Sequence, residues 1–108
     1  MRVVIINIIN SPIAAFHSDG SLVFEMMEKA IRNEESILLS FEGITQCSTQ
    51  FLNASVGKTY LQFPSELVDK LISYDFKDLH NLSRKIEEVR DNAIHSKSYD
   101  AILEAATM

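Results

Sequence analysis

The chain has 108 residues, of which 46% are hydrophobic and 23% charged, with a formal net charge of −5. This balance suits one folded domain over residues 1–108 with a single core and excludes a polar, disordered chain. Net negative charge without a Lys/Arg cluster argues against nucleic acid as a partner, and the lack of a basic amphipathic helix argues against a membrane surface.

The chain has one cysteine, Cys47. It cannot form an intrachain disulfide, and a lone thiol fits a reducing, cytoplasmic setting. The apolar opening from Val3 to Ile9 is interrupted by Asn7. It is too short to span a bilayer and lacks the small residues of a signal cleavage site.

In chain order, residues 2–9 are β-branched and almost continuously apolar, which predicts a strand covered on both faces. Asn10, Ser11 and Pro12 open a loop to about residue 18. A helix over residues 20–32 follows, capped by Asp19 or Ser21. Its core stripe is Leu22, Met26 and Ala30, with Val23, Met27 and Ile31 beside it. Glu25–Lys29 and Glu28–Arg32 are spaced as i,i+4 pairs, and Asn33 is placed to end the helix in a left-handed conformation.

Residues 36–44 predict a second strand, closed by Gly43. Ser48 caps a second helix running to about Phe63, with a buried stripe of Leu52, Ser55, Val56, Thr59, Tyr60 and Phe63. Small residues Ala54, Ser55 and Gly57 would let it approach the sheet closely. Residues 65–76 read as a helical turn capped by Ser65 leading into a short strand. A last helix starts near Asp78 with Leu82, Ile86, Val89 and Ala93 on one face. Ser96 and Ser98 suggest a break before a final segment from Tyr99 to Ala106. The order βαβα(β)α implies an α/β domain with a small mixed sheet packed with helices.

Residues 38–58, LLSFEGITQCSTQFLNASVGK, resemble the signature stretch of STAS domains, the fold of the anti-sigma-factor antagonists. The apolar–Gly–apolar end of the strand falls on Phe41, Gly43 and Ile44, and the Asp-Ser-Ser-Gly loop falls on Ser48, Thr49, Gln50 and Phe51. The chain more closely resembles a STAS-like family of unknown function found in bacteria and their mobile elements. That likeness rests on Ser18-Asp19-Gly20, Phe41-Glu42-Gly43 and Phe51-Leu52-Asn53-Ala54, together with a C-terminal helix.

The resemblance implies a regulatory, non-catalytic module. It would dock a protein partner, of the kinase-like ATPase class that STAS antagonists meet, through the loop and helix after the second strand. It implies no cofactor. In the antagonists the second serine of the loop is the phosphoacceptor. Here that position is Gln50, which leaves Ser48 and Thr49 as candidate phosphorylation sites. Thr45, Gln50, Phe51 and Asn53 are the expected partner-binding residues, with Phe51 either an exposed anchor or core.

The same stretch has other readings. Thr45, Cys47, Ser48, Thr49 and Gln50 surround a helix start, where free N–H groups favour an anion; a small enzyme or an anion or nucleotide binder could use them. The plainer reading of Ser48 is a cap, and of Cys47 a small residue filling a corner. Gly57-Lys58-Thr59 resembles the tail of a phosphate-binding loop, but Leu52 stands where the motif needs glycine and the segment is helical. His17, His80 and His95 lack metal-ligand spacing, so no metal is expected. Asp19 and Glu42 read as an N-cap and a solvated strand end before they read as acid and base. Homo-oligomerisation through exposed apolar helix faces is a third functional reading.

Overall fold

A computed structural model describes residues 1–77, 79 and 81–107. Strand β1 (Arg2–Val4) leads into a one-turn helix α1 (Ile5–Ile9), strand β2 (Ile13–Ala14) and helix α2 (His17–Arg32). Strands β3 (Ile37–Ser40) and β4 (Gln46–Cys47) follow. A helix then runs unbroken as α3 (Thr49–Leu52), a π-helical turn (Asn53–Gly57) and α4 (Lys58–Gln62). Helix α5 (Ser65–Leu71), strand β5 (Ile72–Asp75) and helix α6 (Leu82–Thr107) complete the order.

The described strands form two small sheets, and every pairing is parallel. β3 lies between β1 and β5, with Val3 opposite Leu39 and Leu39 opposite Tyr74. β1 and β3 are thus neighbours in one sheet, with α2 between them in sequence, as the two apolar runs predicted. A second sheet pairs Ile13 with Gln46 and Ala14 with Cys47.

The first expected strand is shorter than its apolar run. Only residues 2–4 are extended, and Ile5–Ile9 turn helical. Ile5 and Ile9, four apart, are buried while Asn7 is exposed, which is a helical face. Asn10 closes the turn in the left-handed region at φ 57°, its N–H donating to Ile6 O at 2.9 Å.

Helix α2 begins at His17, two to four residues before the expected caps, and the capping position, Phe16, makes no side-chain cap. Its core face is Val23, Met27, Ala30 and Ile31, whereas Leu22 is exposed. Asn33 is not left-handed; the positive φ falls on Glu34. Of the two spaced charge pairs, Glu28–Arg32 closes at 3.4 Å. Residues 65–75 form a helix then a strand, as expected.

The core joins sheet and helices through Ile5, Met27, Leu39, Phe41, Leu52, Val56, Val68 and Val89, all buried. Gly20 sets the crossing of α2 on the 49–62 helix. A Cβ there would stand 2.5 Å from Phe51 O and 2.7 Å from the Ala54 Cβ, so any side chain would force the helices apart. Gly43, at φ +80°, turns the chain after β3.

Helix α6 shows no break at Ser96 and Ser98; the expected start at Asp78 lies outside the described residues. Lys97 Nζ donates to Tyr60 O in the last turn of α4 and to Phe63 O just beyond it, both at 2.9 Å. Arg90 holds Asp69 with two bonds, from Nε at 3.1 Å and from a terminal nitrogen at 2.7 Å, and Tyr60 Oη also donates to Asp69. These bonds fix α6 against α4 and α5, and so fix where its first turns lie.

Candidate functional site

The stretch from Thr45 to Asn53 is built on the small β2–β4 sheet. Thr45 N–H donates to Pro12 O at 2.8 Å and Ser48 N–H to Ala14 O at 2.9 Å. The Ser48 hydroxyl accepts from Phe51 N–H at 3.1 Å, the cap the sequence predicted, and donates to Ala15 O at 2.7 Å. One side chain therefore closes the helix start and ties it to the segment entering α2.

Thr45, Thr49, Gln50 and Asn53 are exposed, as a partner surface requires. Phe51 is not. Its side chain is fully buried, because position 51 of the capped helix points into the core beside Leu52 and under α2. Phe51 is core and no anchor. Ser48 is half-buried, with its hydroxyl engaged on both sides, whereas Thr49 is open to solvent.

The helix winds one residue wide immediately after this surface. In the π-helical turn Ser55 Oγ donates to Phe51 O at 2.9 Å, and Thr59 Oγ1 donates to Ser55 O at 2.8 Å. Such turns recur at functional sites. Gly57-Lys58-Thr59 lies within this helix, with Thr59 buried and the Lys58 ammonium 4.5 Å from the Phe24 ring centroid, so it forms no phosphate loop.

A pocket of about 510 Å³ opens between the loop and the start of α6, lined by Thr45, Cys47 and Ser48 on one side and by Asn81, Leu82 and Lys85 on the other. Lys85 Nζ donates to Cys47 O at 3.1 Å. Burial pushes the Cys47 thiol up to about 11, against a smaller lowering by Lys85, so the thiol stays protonated near neutral pH and is a poor nucleophile.

Neither His17 nor Asp19 lines this pocket. Asp19 lies in the first turn of α2, where it complements the helix dipole, and Glu42 pairs with Arg2 at 3.1 Å. His17 and His95 are exposed, and His80 lies outside the described residues. No cluster of metal-ligating side chains occurs among the described residues, and no helix among them is long and apolar enough to cross a membrane.

Sequence reasoning missed three contributors. Ile13 and Phe16, assigned to a loop, are exposed at 41% and 66%. The signal was the apolar run Ile13-Ala14-Ala15-Phe16 after Pro12. Lys85 had no local signal, because it reaches the loop from an element 38 residues away.

A family model described as "STAS-like domain of unknown function" matches residues 19–79, more than half of the chain. The match covers α2 from Asp19 onward, β3, β4, the loop, the 49–62 helix, α5 and β5, and leaves out β1 and β2. No curated protein and no solved structure matches the chain.

Proposed function

We propose a regulatory, non-catalytic role for this chain, which belongs to the family of STAS-like domains of unknown function. It docks a protein partner through the Thr45–Asn53 surface. The observation that carries this reading is the mixed patch around Ser48. The β2–β4 pairing sets exposed Ile13 beside exposed Gln46, and the Ser48–Ala15 bond holds exposed Phe16 next to the helix start that carries Thr49 and Gln50. Exposed apolar side chains rimmed by amides and hydroxyls are typical of interaction sites. Phe16 takes the anchoring role that buried Phe51 does not.

The partner class is a kinase-like ATPase, carried over from the resemblance to STAS antagonists, and the setting is the cytoplasm. Phosphorylation is an optional switch. Thr49 suits it better than Ser48: a phosphate on Thr49 would sit exposed at the helix start, whereas one on Ser48 would remove the bond to Ala15.

The pocket favours a second reading, a small enzyme or an anion or nucleotide binder at the start of the 49–62 helix. The hydrogen bonds weigh against it. The N–H groups of Thr45 and Ser48 are bonded within the β2–β4 sheet, and that of Phe51 is bonded to Ser48. Fewer donors remain for an anion, and the Ser48 hydroxyl is already engaged. A photo-crosslinking side chain at Gln50 tests the docking reading in cells. A discrete adduct from Gln50 and none from Asn33, at the far end of α2, supports it. Equal labelling from both positions would count against it.

A further inference from the structure

We infer that the pocket beside Ser48 receives an acidic side chain of the docked partner, an aspartate or glutamate whose carboxylate meets Lys85. The inference rests on the docking reading above and names the chemistry of the contact.

The first argument is charge. The chain carries 15 acidic and 10 basic side chains. Among the described residues Arg2, Arg32, Lys77, Arg84 and Arg90 pair with carboxylates of the chain itself. Lys85 instead bonds a backbone carbonyl, Cys47 O, and is the charged residue among the described lining of the pocket. An ammonium has three donors, and this is its one hydrogen bond among the described residues, which leaves two for a ligand there. It also holds the ammonium at the loop and so lowers the ordering cost of using it.

The second argument is shape and lining. The volume of about 510 Å³ exceeds what one carboxylate-bearing side chain needs, leaving room for its stem and neighbouring backbone. Ala15, Leu79 and Leu82 give apolar wall for that stem, while the Asn81 amide offers further donors; the Thr45 hydroxyl already donates to Pro12 O. One cation suits one negative charge. A phosphate dianion commonly draws a bidentate Arg or several cations, and here the nearby loop amides of Thr45 and Ser48 are already bonded.

The test uses the full chain and amide-resolved NMR titration with acetyl-glutamate N-methylamide, against the matching glutamine compound and inorganic phosphate. The glutamate compound is expected to give saturable shifts at residues 45–48 and 81–85. The glutamine compound, or Lys85→Gln, should weaken binding by about tenfold, and Lys85→Arg should restore it to within about threefold. Unchanged amide spectra elsewhere would show that the variants are folded. No saturable shift, equal binding of glutamine, an unaffected Lys85→Gln variant or tighter binding of phosphate would each overturn the inference.

Failure of this inference is separable from failure of the docking reading. If Lys85→Gln keeps the partner while Gln50→Arg loses it, the surface stands and the acidic contact is wrong. If Gln50→Arg and Asn53→Arg both keep the partner, the docking reading fails whatever the titration shows.

Discussion

Replacing Ser48 by alanine removes two hydrogen bonds at once. The cap to Phe51 N–H is lost, for about 1 kcal/mol, within the usual range for Ser-to-Ala at an N-cap. The bond to Ala15 O is lost too, for about 1 kcal/mol more, since solvent reaches this half-buried carbonyl in part. The expected loss is about 2 kcal/mol, a large share of the total for a domain of this size and worth about 10 °C in Tm. Thr49→Ala, on an exposed side chain, should stay within about 0.5 kcal/mol of wild type. Ser48→Asp separates the two bonds. Aspartate caps as well as serine, but a carboxylate cannot donate to Ala15 O, so about half of the loss should remain. Urea unfolding followed by circular dichroism reads all three variants. A Ser48→Ala variant within about 0.5 kcal/mol of wild type, or a Thr49→Ala loss of equal size, would refute the structural role of Ser48.

Three further outcomes can be checked. Phe51→Ala should cost about 3–5 kcal/mol in the same unfolding assay, because a fully buried ring leaves a cavity under α2; a loss below about 1 kcal/mol would return Phe51 to the surface. Alkylation of Cys47 by iodoacetamide at pH 8 should be at least about tenfold slower in the folded protein than in urea, since burial raises the thiol to about 11; equal rates would contradict that burial. Bonding to Arg90 holds the Asp69 carboxyl below its ordinary 3.8, so its contribution is present above pH 3.8 and fades as pH falls through the lower folded value. Asp69→Asn should therefore flatten the acid limb of a stability–pH curve, and an unchanged limb would remove Asp69 from it.

Much of the fold was legible because its signals are local. Ser48 is a cap by residue type and position, and it caps. Of the expected stripe Leu52, Ser55, Val56, Thr59, Tyr60 and Phe63, which follows helical spacing, the first five are buried, while Phe63, extended just past α4, is half-buried. The illegible parts depend on partners distant in sequence. A continuous apolar run such as Val3–Ile9 has no period to separate strand from helix, and only packing assigns Ile5–Ile9 to a turn. The two-residue strand Ile13–Ala14 exists through its pairing with Gln46–Cys47. Ser96 and Ser98 do not break α6: serine costs only a few tenths of a kcal/mol in a helix, and Lys97 between them binds the carbonyls of Tyr60 in α4 and of Phe63 just after it. At the site, the exposed positions Gln50 and Asn53 could be read from the stripe around Leu52. The burial of Phe51 and the arrival of Lys85 could not, since each is decided by another element packing on the loop.

The central claim is that the Thr45–Asn53 surface binds a protein partner. Its most direct measurement is the affinity of the cross-linked partner for Gln50→Arg and Asn53→Arg, compared with Asn33→Arg as a control. Asn33 lies at the other end of α2, about 26 Å along the helix from Phe16. All three are exposed positions where the change should stay within about 0.5 kcal/mol of wild-type stability. The account predicts that Gln50→Arg and Asn53→Arg each weaken partner binding by at least about tenfold, because they bury an unpaired charge at the contact, while Asn33→Arg binds as wild type. Folded Gln50→Arg and Asn53→Arg proteins that bind with wild-type affinity would contradict it and place the interface elsewhere.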